Sequence, residues 1–447
     1  MPRTTLKTAI LGAGISGLSL ARFLIEGGVP AEELHIFEAS NEVGGLCRSK
    51  VVDGFTYDRA GGHILYSKDA AARDWMVSCT GGLDAFSESA RQTRIRFGDR
   101  WVHYPFENGL CDLPPEVNQE CINGYIAAWK ARTDSGSNAP DDFDSWVRWR
   151  FGEGIHAHFM QPYNEKIWKR DLRELSSDWV AGRVPEAPLE DVIKASEGVR
   201  TEGYVHQSIF QYPQRGGFQA ITDGIASTLT ERVRLNTRVT QLTRHGEGWR
   251  VDGEDFDLVV STLPMTELPK LIEGMPQEVS AAMDGLLFNS LSSILLAIDH
   301  DEQPQHSWVY LPHESQGPAN RVTYISNYSD HNAPAGRSGL QCEVNWRGDE
   351  PAPGKELAAE VTAGLENAGI LESGQVLFSD RTDVRHAYIV YTHGFADRRQ
   401  RSIDWLESQG IHPLGRFGRF DYYNSDQCVI AARELAASLL EQRAAGA

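Results

Sequence analysis

The chain has no run of about 18 apolar residues, the length a helix needs to cross a bilayer, so no membrane span is expected. No hydrophobic signal segment precedes the first strand-like stretch at 7–11, which makes a cytoplasmic protein the expectation. Cysteine is sparse. Cys47, Cys79, Cys111, Cys121, Cys342 and Cys428 form no Cys-x-x-Cys pair and meet no histidine cluster, a pattern of reduced thiols rather than of disulfides or a metal site. Positive charge is also short: 43 Lys and Arg stand against 62 Asp and Glu, a formal net charge of −19. That argues against nucleic acid as a partner, and an anionic ligand has to be held by local cations. Length and apolar content are ample. With 447 residues, 41% of them hydrophobic, the chain is long for one core and suggests two or three domains.

Residues 8–17 read Thr-Ala-Ile-Leu-Gly-Ala-Gly-Ile-Ser-Gly, a strand that runs through a Gly-x-Gly-x-x-Gly turn into a helix over 18–26. Gly12 permits the tight turn, Gly14 lets backbone N–H groups approach a pyrophosphate, and Gly17 lets the helix pack on the strand. The pyrophosphate is expected at that helix N-terminus, beside Ser16. Glu38 ends the apolar run His35-Ile36-Phe37, roughly twenty residues past Gly17, where a ribose-binding carboxylate belongs. Two further glycine turns, Gly44-Gly45-Leu46 and Gly61-Gly62-His63, extend the track beyond what a nicotinamide dinucleotide needs. Either pair alone also reads as an ordinary turn. Their order after Glu38 resembles that of FAD-binding oxidoreductases of the amine oxidase and UDP-galactopyranose mutase group, which makes FAD the expected cofactor. At the far end, Gly415-Arg416-Phe417-Gly418 leads through Asp426-Gln427 into a helix, a second loop-to-helix junction able to direct N–H donors at a flavin edge.

The expected fold is α/β: a Rossmann-like FAD-binding domain, discontinuous over 1–95, 213–265 and 375–447, with two insertions. A helical domain spans 114–205, with helices expected at 116–131, 142–151 and 153–168. An antiparallel sheet domain takes 96–113 and 266–374, with strands expected at 291–299, 307–311, 321–327 and 340–346. Alternation at 232–239, ending on Val239, and the apolar run 257–262 read as further strands of the first domain, with closing helices at 354–369 and 428–442.

Several short segments recur in an order that is itself informative: Gly61-Gly62-His63-Ile64, Trp101-Val102-His103-Tyr104-Pro105-Phe106, Pro162-Tyr163-Asn164, Gly182-Arg183-Val184, Pro213-Gln214-Arg215-Gly216-Gly217, Ser326-Asn327-Tyr328 and Gly415-Arg416-Phe417-Gly418. On these the sequence resembles the UDP-galactopyranose mutase family, closer to its eukaryotic branch. The resemblance implies a nucleotide-diphosphate sugar as substrate. It makes Arg183 and Arg321 the diphosphate clamp, with Tyr310, Tyr388, Tyr422 and Asn424 on the same phosphates. Asn164, Trp168, Gln207 and Trp308 would meet the sugar; Tyr104, Phe106 and Glu107 would hold the base; His63 would sit beside the flavin. Arginine suits such a role because its fork matches a diphosphate. On the residues alone, each arginine also reads as a surface charge, each tyrosine or tryptophan as core, and His63 as a buried structural histidine.

The implied reaction interconverts pyranose and furanose sugars through a covalent adduct on reduced flavin N5, with no net redox change and NAD(P)H as reductant. Three departures bear on the substrate. Glu107 stands where the eukaryotic family has Gln; a carboxylate only accepts hydrogen bonds, which suits guanine better than uracil. Gln207 replaces a shorter Asn, and the stretch after Tyr422 is one residue short, leaving Asn424 as the match. The rival readings are an FAD oxidase or desaturase of the amine oxidase group, and a flavin-binding protein without catalysis. The oxidase explains residues 8–63 equally well but gives no reason for Arg183, Arg321 and the tyrosines. A homo-oligomer is compatible with any of these.

Overall fold

A computed structural model describes residues 6–180, 184, 187–199 and 209–446. Arg183 and Gln207 lie outside the described residues. The two large sheets use, in chain order, β1 (Thr8–Leu11), β2 (Leu34–Phe37), β3 (Thr93–Phe97), β4 (Arg100–His103), β5 (Val233–Arg234), β6 (Leu258–Ser261), β7 (Leu287–Ile298), β8 (Trp308–Tyr310), β9 (Arg321–Thr323), β10 (Ser338–Arg347), β11 (Val376–Val390) and β12 (Ile411–Pro413). The helices that position the site are α1 (Ile15–Glu26), α2 (Pro115–Ser135), α3 (Phe143–Ile155), α4 (Gln161–Trp168) and α5 (Ser425–Gly446).

The first sheet is parallel, in the order β12-β6-β1-β2-β5. Every residue of β1 is buried, as expected for a strand covered on both faces. On one face Leu18, Ala21 and Leu24 of α1 share a core with Val429, Ala432 and Ala436 of α5, so the two ends of the chain close the same layer. The strand expected over 232–239 is short. Asn236 turns the chain out of the sheet with φ 53°, and the N–H groups of Asn236 and Thr237 donate to Ser40 O and Glu38 O, each at 2.8 Å. The segment leading to Val239 therefore runs beside Glu38.

The second sheet has the order β11-β7-β10-β9-β8-β3-β4. It is mixed rather than antiparallel, because β8 pairs with β3 in parallel. β3 arrives from the N-terminal segment and not through a hairpin, so no tight turn dictates its direction. Residue 375 is also too early a boundary: β11 pairs with β7 along its length and is the edge of this sheet. Its charged stretch Asp380–Arg385 masks the strand pattern, because an edge strand exposes one flank to water.

In the helical layer, α2 packs on α3, and Gly152 kinks the latter at φ 79°. A Cβ on Gly152 would lie 2.2 Å from Gly124 O, so the two backbones touch there. A π-helical turn, His156–Met160, then interrupts the helix expected over 153–168 before α4 begins. Helices Ala70–Cys79 and Phe395–Ser408 were not expected from the sequence. Among the described residues, no helix is long and apolar enough to cross a membrane.

Candidate active site

A cavity of about 1080 Å³ is walled by residues of both sheets and lies at the carboxyl ends of β1 and β2, where open parallel sheets bind their ligands. Its first part is built by the glycine turn. Gly12, at φ 104°, donates its N–H to Phe37 O at 2.8 Å, and a Cβ there would meet Thr262 Oγ1 at 2.3 Å. Gly17 is as tightly placed: a Cβ would lie 2.2 Å from Gly12 O. Helix α1 opens at the cavity from Gly14 with no side-chain cap, so its first N–H groups are left for a ligand. Glu38 accepts the N–H of Ala13 through one oxygen and that of Ser40 through the other, both at 2.9 Å. Each carboxylate oxygen keeps a lone pair for a ribose hydroxyl. Gly44 donates to Ala13 O at 2.9 Å, and Gly45 is close enough to Gly14 that a Cβ would lie 3.1 Å from its Cα. The cradle, the orphan donors and the carboxylate fit a dinucleotide.

The middle of the cavity is the turn Gly61-Gly62-His63. Asp58, fully buried, holds it: its carboxylate accepts from Ser49 Oγ at 2.7 Å, Tyr212 OH at 2.9 Å, and the N–H groups of His63 and Phe218 at 3.1 Å each. The carbonyl of Gly61 makes His63 Nδ1 the donor, at 2.7 Å. Burial, opposed by Asp58, keeps His63 below the ordinary imidazole range, so the neutral ring presents Nε2 as an acceptor.

The far end is cationic and rich in hydroxyls. Arg321, on β9, faces Glu343, on β10, across a paired register. Its Nε donates to Glu343 Oε1 at 2.8 Å and its Nη2 reaches the same oxygen. Glu343 is fully buried and also accepts from Tyr388 OH at 3.1 Å and the Gly62 N–H at 3.2 Å. Burial opposes the charge of Arg321, but Glu343, with Tyr388 and Tyr310, outweighs it and holds the guanidinium well above its ordinary value. Burial, then Glu343, raises the Tyr388 phenol, and burial raises Tyr310, so both remain hydroxyl donors near neutrality. Arg416 donates to Tyr423 O at 2.9 Å and Ala387 O at 3.1 Å and lies 4.1 Å over the Tyr422 ring. Among the described residues it forms no ion pair, so this end carries net positive charge.

The structure brings Gly12, Gly14, Ser16, Glu38, Gly45, Leu46, Gly62, His63 and Val239 to the cavity wall, together with Trp308, Tyr310, Arg321, Tyr388, Gly415, Arg416, Tyr422 and Asn424. Gly17, Gly44 and Gly61 support that wall from behind. The remaining expected site residues that are described lie off that cavity wall. Phe106 is a core residue, stacked on Phe159 at 4.8 Å. Asn164 and Trp168 bond each other, Trp168 Nε1 donating to Asn164 Oδ1 at 3.2 Å, and are buried in the helical layer. Glu107 and Asp426 are likewise buried off the cavity, and Gln427 caps the start of α5 by accepting the Asn424 N–H at 2.9 Å. Tyr104 is half-exposed, 5.2 Å from the Tyr310 ring. Sequence reasoning missed Glu343 and Asp58. The signal for Glu343 was present: it is the one acid in Ser338–Arg347, a strand buried through Asn345 and otherwise uncharged up to Arg347.

The model of the family "Flavin containing amine oxidoreductase" matches residues 140–435, well over half of the chain.

The chain belongs to the flavin-containing amine oxidoreductase family.

A second model, "NAD(P)-binding Rossmann-like domain", matches residues 10–78, the turn and strands that form the first part of the cavity. Among curated relatives, coproporphyrinogen III oxidase of Bacillus subtilis (strain 168) is 24% identical, covering 76% of this chain and 77% of that protein. Amine oxidase [flavin-containing] A of Sus scrofa is 25% identical over 59% of this chain and 50% of its own length, so the chain spans about half of the amine oxidases it matches. The solved structure of reduced UDP-galactopyranose mutase is similar over 98% of this chain and 96% of that one, at 27% identity and a TM-score of 0.90. The resemblance drawn from scattered motifs is thus borne out along nearly the whole flavin-family fold. The protein is a flavin-dependent enzyme of the amine oxidase superfamily.

Proposed function

We propose that the enzyme is a nucleotide-sugar mutase that interconverts the pyranose and furanose forms of a nucleoside-diphosphate sugar. The observation that carries the reading is the far end of the cavity, where Arg321, Arg416 and the hydroxyls of Tyr310 and Tyr388 converge opposite the dinucleotide cradle. An amine or apolar substrate has no use for such a group; a diphosphate does. The likeness to UDP-galactopyranose mutase supports the same reading.

FAD fits the cradle, with Gly12, Gly14, Glu38 and the α1 N-terminus holding its dinucleotide. Reduced, and with NAD(P)H as its proposed source of electrons, it would supply a nucleophile toward the anomeric carbon. Arg321 would hold the departed nucleoside diphosphate in place, so that its return stays effectively intramolecular. Glu343 fixes the direction of that guanidinium, and Tyr388 donates a hydroxyl beside it. His63 Nε2, neutral and accepting, can take or relay a proton at the flavin side of the cavity. Arg183, by its sequence context, is proposed as the second cation of the clamp.

The test is anaerobic reduction of the bound flavin followed by a panel of UDP-, GDP- and dTDP-sugars, with ring exchange read by NMR. Exchange with the reduced enzyme only is expected. Oxygen consumption with an amine or porphyrinogen, and no exchange with any nucleotide sugar, would overturn the reading in favour of an oxidase.

A further inference from the structure

Lys166 lies behind the cavity on α4, with 6% of its surface exposed. Its Nζ donates to Leu311 O at 3.0 Å and His313 O at 3.1 Å. Those carbonyls directly follow β8, the strand that carries Trp308 and Tyr310 into the cavity. Tyr163, also on α4, packs its ring against Tyr310 at 5.0 Å. The far end of α4 is anchored separately, by the Asn289 and Asn345 amides on Ile167 O and Trp168 O. Lys166 is thus the polar tie between this helix and the end of β8. Among the described residues its partners are these two carbonyls alone, and no carboxylate pairs with it, so a charge there is buried without a counter-ion.

We propose that Lys166 is a pH-sensitive latch that positions the β8 wall of the cleft: the neutral amine bridges α4 to the two carbonyls without burying a charge, whereas the ammonium is a buried charge with no carboxylate in ion-pair range, which loosens the contact. The charged groups acting on it are Lys169, which repels it, and Glu314, which attracts it. His313 faces it from the β8 side and is itself affected by His158, which pairs with Glu120 at 2.7 Å. From β10 the neighbour is the uncharged Asn345. Burial, reinforced by Lys169, brings Lys166 from 10.5 down to about 7. Because the unfolded chain binds this proton more tightly, the latch gains stability as pH rises above about 7 and is weakest below it.

The inference rests on the proposed reaction only for its effect on turnover. The primary test is hydrogen–deuterium exchange of the flavin-loaded protein from about pH 6 to about pH 8, corrected for intrinsic rates. The amide of Leu311, bonded to Asn320 O, is the reporter. Its protection is expected to rise several-fold across neutrality in the wild type, with the step lost in Lys166→Met. Lys166→Arg, a permanent cation, should stay poorly protected throughout, and His158→Gln and His313→Gln should keep the step. A flat wild-type profile, or a step that survives in Lys166→Met, overturns the latch. If Lys166→Met does not fold, the wild-type titration and Lys166→Arg decide. The nucleotide-sugar KM should fall over the same range with kcat little changed. An exchange step without any nucleotide-sugar turnover would leave the latch standing and remove the reaction.

Discussion

Removing the Arg321 side chain would do two things at once. It would take a cation from the cavity, and it would leave the fully buried Glu343 without its partner. The second effect alone costs about 3–5 kcal/mol, so Arg321→Ala mixes chemistry with stability. Arg321→Lys keeps the charge and loses the fork. It is expected to fold, to retain flavin absorbance, and to lose about 10- to 100-fold in kcat/KM, the worth of about 1.5–3 kcal/mol of charged hydrogen bonding. Loss of flavin instead would reassign Arg321 to cofactor retention. Glu343→Gln tests the partner: the amide still reaches Tyr388 and Gly62, but Arg321 loses its counter-charge. A lower thermal midpoint together with weaker UDP binding is expected by calorimetry. The candidacy of Arg321 came from the family resemblance, since Asn320-Arg321-Val322-Thr323 by itself also reads as a surface charge on a strand. Its pairing was not legible, since it depends on the β9–β10 register that sets Arg321 opposite Glu343.

At the level of elements, the glycine turn could be read in full because each glycine answers a local demand. Gly17→Ala would drive a methyl to within 2.2 Å of Gly12 O and push α1 off β1. The expected outcome is flavin content well below one per chain with an unchanged far-ultraviolet circular dichroism spectrum. Gly152→Ala tests the helical layer instead. It combines φ 79° with a 2.2 Å approach to Gly124 O, and should cost at least about 1–2 kcal/mol for the left-handed backbone alone, read as a lower denaturation midpoint. Periodicity had marked helices on either side of Gly152 but could not show the crossing that requires it. Nor could it show β11, whose exposed, charged flank hides a strand that packs on one side only. The packing partners of Phe106, Asn164 and Trp168 were hidden for a related reason: an aromatic or amide looks the same in sequence whether it faces a ligand or a neighbouring element.

For the whole molecule, burial sets the response to acid. His306 and His386 are each pushed by burial from 6.5 to about 4. Both values are depressed in the folded state, so the unfolded chain takes up these protons first; stability present above 6.5 is lost as pH falls toward about 4. The thermal midpoint is expected to drop over that interval, and a His306→Gln/His386→Gln variant should drop less. Composition gave no hint of these two groups, because burial is a property of the assembled layers. The general plan, a dinucleotide layer interrupted by inserted elements, was readable from the order of strand and helix patterns.

The parallel sheet also has a history in time. Its centre, Thr8–Leu11, leaves the ribosome about 400 residues before its edge, Ile411–Pro413, and the neighbouring loop with Gly415 and Arg416. At ~5–20 residues per second that gap is on the order of 20–80 s. For that interval α1 lacks α5, and β6, made later, lacks its outer neighbour over roughly the last 150 residues of it, leaving apolar surface and a bare strand edge for chaperones to shield. On the proposed role of Gly415 and Arg416, a chain ending before residue 411 is expected to carry the whole nucleotide fingerprint yet to retain no flavin, read as flavin absorbance per purified chain.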